Sequence, residues 1–137
     1  MIHYLNACYT ARVSGFVEGI DHVQIAAPPG CEEAARSFYG LLLGMREIEK
    51  PELLRARGGC WFECGVQQLH IGVERDFRPA RKAHPAFAAS DLDALRERLV
   101  SRGIAVLDDD SLPHTRRFYV EDPWGNRLEF VERLFVR

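Results

Sequence analysis

The stretch FYVEDPWGNRLEF, Phe118 to Phe130, decides how the chain is read. Asp122-Pro-Trp-Gly-Asn126 is a turn sequence between two runs of alternating apolar residues, so the segment predicts a β-hairpin. In its second run Glu129 stands between Leu128 and Phe130. Alternation along a strand sends Leu128 and Phe130 to one face and Glu129 to the other. A carboxylate at that position calls for a reason.

An internal repeat supplies one. Two helices stand out, one near Glu32 to Leu43 and one that starts after Ser90-Asp91-Leu92-Asp93, read as a capping box, and carries Leu92, Leu95 and Leu99 to Gly103. Each follows a short strand that begins with histidine, HVQIAA from His22 and HPAFAA from His84. Each precedes three strand-like runs: MREIEK, GGCWFEC and QQLHIGV in the first half, IAVLDD, RRFYVED and RLEFVE in the second. The order is therefore βαβββ, twice over. His70 follows Gly44 by 26 residues (70 − 44), and Glu129 follows Gly103 by 26 (129 − 103). His22 thus matches His84, and His70 matches Glu129.

Leu69, Ile71, Leu128 and Phe130 belong on the face that helices cover, which sends His70 and Glu129 to the opposite face. If both sheets curve around one cleft, His22, His70, His84 and Glu129 line it. Three imidazoles and a carboxylate are ligands for a borderline divalent metal such as Zn²⁺, Ni²⁺, Co²⁺, Mn²⁺ or Fe²⁺. The fold class expected is α+β: two tandem βαβββ modules forming a curved mixed sheet around a metal cleft, with the helices outside. Residues 1–18 are an N-terminal extension, 19–132 a single domain of two modules (19–74 and 84–132) joined by a linker (75–83), and 133–137 a tail.

The bulk properties narrow the function classes. The chain has 137 residues, 47% hydrophobic and 28% charged, with a formal net charge of −2. That balance gives no electrostatic case for nucleic acid or an anionic membrane. No apolar run approaches the roughly 18 residues of a membrane span, and the N-terminus lacks a secretory pattern, so a cytoplasmic location is expected. Cys8, Cys31, Cys60 and Cys64 do not form the two pairs of a zinc motif and are read as small, reduced, buried thiols. The segment ERDFRPARKAHP, with Arg75, Arg78, Arg81 and Lys82, is read as a solvated linker, or alternatively as cations at the cleft mouth.

GIDHVQIAA, FYGLLLGM, HPAFAASDLDAL and FYVEDPWGNRLEF together resemble the vicinal oxygen chelate superfamily, which includes glyoxalase I, methylmalonyl-CoA epimerase, extradiol dioxygenases and bleomycin-resistance proteins. The resemblance runs from Gly19 to Glu132. It implies one divalent metal held by His22, His70, His84 and Glu129, a small-molecule substrate with adjacent oxygens, and a homodimer. It also implies Lewis-acid chemistry in which Glu129 moves a proton. His70 departs from the pattern, since bacterial glyoxalase I has a glutamate there and the epimerase a glutamine; a His₃Glu set leaves the ion about one charge more positive than His₂Glu₂. Tyr119, ten residues before Glu129, matches a tyrosine of the dioxygenases and of the fosfomycin transferases. The reading preferred is a metal-dependent glyoxalase-type lyase or isomerase, with Glu129 and Tyr119 as catalytic residues. An extradiol-type dioxygenase, a fosfomycin-type thiol transferase and a non-catalytic antibiotic-binding protein are the alternatives.

Overall fold

A computed structural model describes residues 15–132. Most of the expected N-terminal extension, including His3 and Cys8, and all of the C-terminal tail lie outside the described residues. Eight strands form two four-stranded mixed sheets. The first contains β1 (His22–Ala27), β2 (Glu47–Ile48), β3 (Cys60–Cys64) and β4 (Gln67–Val73); the second contains β5 (Ala86–Ala89), β6 (Leu107–Asp109), β7 (Arg117–Glu121) and β8 (Arg127–Glu132). Their orders, β1-β4-β3-β2 and β5-β8-β7-β6, are the same pattern repeated. The first and last strands of each module pair in parallel, and the other pairings are antiparallel.

Register confirms the repeat. In the first sheet His70 lies opposite Gln24, two residues after His22; in the second Glu129 lies opposite Ala86, two residues after His84. Across the antiparallel neighbour, Trp61 faces His70 and Tyr119 faces Glu129. The fold is the expected α+β arrangement of two βαβββ modules, with one refinement: among the described residues no strand pairing joins the two sheets.

Each long helix ends in the same way. The first begins as α1 (Glu32–Ala35) and continues as a π-helical stretch, Arg36–Leu42. Its C-terminus is closed by Gly44 at φ 81°, where Gly44 N–H donates to Gly40 O and Met45 N–H to Tyr39 O. A left-handed glycine there satisfies carbonyls that the helix leaves open. The helix of the second module, α3 (Leu92–Ser101), ends before Gly103 at φ 76°. Its N-cap is Asp91, whose carboxylate accepts from Ala94 N–H at 3.0 Å, rather than the expected Ser90. A short helix, α2 (Glu52–Arg55), was absent from the sequence reading: it carries no buried residue and so no apolar stripe. The second module's first strand starts at Ala86 instead of His84, because Pro85 has no N–H to give a ladder.

The apolar faces of both sheets and both long helices share one core. Ala35, Phe38, Tyr39 and Leu42 enter it from the first helix, and Leu92 and Leu99 from α3. A buried polar hub ties the halves together. Tyr39 Oη donates to Asp122 Oδ2 at 2.8 Å, and Asp122 Oδ1 accepts from the backbone N–H groups of Trp124 and Asn126 at 3.0 and 2.8 Å. Asn126 Nδ2 reaches both Asp122 Oδ2 and Ala26 O at 2.9 Å, while its Oδ1 accepts from Ala80 N–H at 2.9 Å. The Asp122–Asn126 turn is therefore more than a hairpin connection. It bonds to the first helix, to β1 and to the segment between the modules.

Candidate functional site

Strand alternation puts Leu69, Ile71, Leu128 and Phe130 in the core, and His70 and Glu129 on the opposite faces of their sheets. The structure brings the four expected ligands together as two pairs, one on each sheet. On the first, His22 and His70 stack with ring centroids 4.2 Å apart, and Trp61 covers the other side of His70 at 3.8 Å and 2° between planes. On the second, His84 Nε2 is 3.7 Å from Glu129 Oε1, and Tyr119 meets His84 edge-on at 5.5 Å. Among the described residues, no three His, Cys, Asp or Glu side chains gather where they could hold an ion.

The hydrogen bonds of each ring show which donors suit a metal. His84 Nδ1 lies 2.8 Å from Lys82 O, an oxygen that can only accept, so Nδ1 carries a proton and Nε2, which faces Glu129, is the nitrogen left to bind an ion. His22 Nδ1 lies 2.9 Å from Asp21 Oδ1, the carboxylate–histidine arrangement that leaves Nε2 free as a ligand. Both fit. His70 is different: its Nε2 is 2.9 Å from Gln68 Oε1, so only Nδ1 remains to serve. Burial and the neighbouring His22 push the His70 pKa down, which keeps the ring neutral as a ligand must be.

Glu129 is buried and already engaged. Arg117 Nη1 donates to its Oε1 at 3.1 Å, while Arg117 Nη2 reaches Asp109 Oδ2 at 3.1 Å and Ser111 Oγ at 3.2 Å. The neighbouring Glu129 carboxylate raises the tyrosine's pKa, keeping the phenol protonated. Both guanidinium groups stand over the Tyr119 ring, Arg127 with its central carbon 4.0 Å from the centroid and Arg117 at 5.6 Å. Arg127 was the residue missed as part of this face. The signal was available: Arg117, Tyr119, Arg127 and Glu129 fall on one face of the β7–β8 pair by alternation alone.

Alongside β1 and β5 runs a cleft of about 790 Å³, whose polar lining is Gln24, Gln67, Gln68, Glu74, Arg78, His84, Asn126 and Arg127, set among apolar residues. Both of these strands are sheet edges. Among the described residues no helix is long and apolar enough to cross a membrane. Cys31 and Cys60 are buried free thiols in the first module, and Cys64 is half-buried.

The model of the Glyoxalase/Bleomycin resistance protein/Dioxygenase superfamily matches residues 19–130, nearly the whole described chain. The chain belongs to that superfamily. Among solved structures, a glyoxalase family protein from Bacillus anthracis is 57% identical, covers 88% of this chain and 98% of its own, and superposes with a TM-score of 0.85. Two more distant ones share the superfamily fold. Lactoylglutathione lyase from Agrobacterium tumefaciens is 22% identical, with 86% and 96% of the two chains covered and a TM-score of 0.68. TnmS3, an antibiotic binding protein from Streptomyces sp. CB03234, is 19% identical, with 88% and 99% covered and a TM-score of 0.69. No curated protein matches the chain. The superfamily therefore embraces both catalysts and binders on one fold, and the choice between them falls on the residues of the site.

Proposed function

We propose that this superfamily member is a metal-dependent, glyoxalase-type enzyme that moves a proton next to a carbonyl in a small molecule with two neighbouring oxygens. The observation that carries the reading is the donor chemistry of the histidines. His22 and His84 each have Nδ1 committed to a protein oxygen, which leaves Nε2 as the nitrogen to bind an ion, and at His84 that nitrogen stands 3.7 Å from Glu129.

His22, His70, His84 and Glu129 would hold one divalent ion as two pairs. Since the pairs stand apart in a single chain, the reading includes a homodimer that sets His22 and His70 of one protomer against His84 and Glu129 of the other. When bound, the ion supplies Lewis-acid polarisation of the two substrate oxygens. Glu129 is the proton carrier, being the buried carboxylate at the centre of the second half-site. Arg117 holds its Oε1 in place, and the aromatic walls of Trp61 and Tyr119 exclude water from the reacting groups.

Metal analysis of protein purified without an affinity tag tests the reading. Stoichiometric metal is expected in the wild type and is lost in His84→Ala. Unchanged metal content in separate His22, His84 and Glu129 alanine variants removes the site. Activity is then screened with methylglyoxal plus several thiols, and with catechols under oxygen; ring cleavage with oxygen uptake, and no thioester, would replace the lyase by a dioxygenase.

A second reading, a metal-free binding protein, is favoured by one observation. Arg117 already neutralises Glu129, so the second half-site is electrostatically complete without an ion. A metal-free protein that binds an aromatic antibiotic beside Trp61 would decide for it.

A further inference from the structure

Arg117 and Arg127 share the face of the β7–β8 pair that carries Glu129, and the structure treats them differently. Arg117 is spent on Glu129, Asp109 and Ser111. Arg127 is half-buried, and among the described residues no carboxylate lies within ion-pair distance of it. Even Glu121, its partner across the antiparallel ladder, is left unbridged. What holds Arg127 is Tyr119, on whose ring the guanidinium rests at 4.0 Å. Its backbone N–H is fixed too, donating to Ala80 O at 2.9 Å.

A guanidinium that is stacked, partly desolvated and unpaired is already ordered for a planar anion and loses little freedom in binding one. Arg127 lines the cleft along β1 and β5, where His84 also lies. Arg127 therefore stands beside the half-site formed by His84 and Glu129 without belonging to it.

We propose that Arg127 is a specificity residue, the receptor for a substrate carboxylate, so that this protein selects small monocarboxylates over neutral molecules of the same shape. The charges on this face argue for a monoanion. Arg117 is balanced by Glu129 and Asp109, and the cleft's other cation, Arg78, shares the lining with Glu74; Arg127 is left as the cation of this face, with Glu121 beside it to repel a second negative charge. A carboxylate accepts both donors of a guanidinium edge, and charge-assisted pairs of this kind are the strong ones. Tyr119 gains a second role as the platform of this receptor. The placement of the carboxylate next to reacting oxygens rests on the enzyme reading above; the receptor itself does not.

The test compares lactate with lactamide, which match in shape and differ in charge, by ligand-observed NMR titration of the whole protein, with and without EDTA. Wild-type protein is expected to bind lactate at least tenfold more tightly than lactamide. Arg127→Gln removes that preference and leaves lactamide binding unchanged, and Arg127→Lys restores part of it. Persistence of the pattern in EDTA upholds the receptor even if the metal reading fails. No preference for lactate in the wild type overturns the proposal, as does a preference that survives in Arg127→Gln. Inorganic phosphate binding more tightly than lactate overturns the monocarboxylate class.

Discussion

Asp122 offers the most direct check on how the two modules are held together. Its carboxylate accepts four hydrogen bonds, from Tyr39 Oη, from the Trp124 and Asn126 backbone N–H groups, and from Asn126 Nδ2. Asp122→Ala removes all four and leaves the fully buried Tyr39 hydroxyl without its acceptor. Hydrogen bonds to a charged group contribute about 1.5–3 kcal/mol each, but they are not additive, and removing the carboxylate also recovers its own desolvation cost. A loss of about 3–4 kcal/mol follows, a large share of the roughly 5–15 kcal/mol that a domain has. At roughly 4 °C per kcal/mol for a chain of this size, Tm falls by about 12–16 °C. Tyr39→Phe removes one bond and leaves three, so it costs about 1.5 kcal/mol. Urea denaturation of the two single variants and the double variant closes a thermodynamic cycle, in which Tyr39→Phe should cost almost nothing once Asp122 is gone. If it costs as much in the Asp122→Ala background as in the wild type, the two side chains are not coupled and the hub reasoning is refuted.

Two further outcomes follow from packing and from burial. Gly59 sits at φ 83° with a would-be Cβ 2.0 Å from Ile71 O, whereas Gly65 at φ 60° has open space around it. Gly59→Ala should therefore cost at least about 3 kcal/mol and Gly65→Ala only about 1 kcal/mol; similar urea midpoints for the two would contradict that packing. Burial pushes the Cys60 thiol up to about 11. At pH 8 its thiolate fraction is then on the order of a hundredfold below that of a free cysteine, so iodoacetamide should modify Cys60 correspondingly slowly in native protein, as mapped by peptide mass spectrometry. Alkylation at the rate of a free thiol would show that Cys60 is not shielded.

Much of the architecture could be read from the sequence because it is written twice. The equal spacing of Gly44 to His70 and Gly103 to Glu129 predicted the strand register that the two sheets adopt, and left-handed glycines close both long helices. What spacing could not convey was the direction of ring nitrogens and guanidinium groups. That His70 turns Nε2 to Gln68, and that Arg117 has settled on Glu129, depend on side-chain torsions with no periodicity. The Tyr39–Asp122 bond spans 83 residues, beyond any local pattern, and turn chemistry alone explained Asp122 well enough to hide its second role. The separation of the candidate ligands into two pairs was likewise invisible: alternation fixes which face of a sheet a residue occupies, but says nothing of how two sheets are placed.

The Trp61–His70 stack has a spectroscopic consequence. Of the two tryptophans in the chain, Trp61 lies flat against a half-site imidazole, while Trp124 sits in the β7–β8 turn, where its backbone N–H serves Asp122. At 3.8 Å the indole's excited state is in contact with His70, so a change in that ring's electron density alters emission from Trp61. His22, on the far side of the same column, is one ring removed. The His22–His70 pair thus carries an indole in ring contact, whereas the ring against His84 in the other pair is the phenol of Tyr119, which absorbs at shorter wavelength. In a Trp124→Phe background, emission excited in the indole band beyond tyrosine absorption would report on the His22–His70 pair alone.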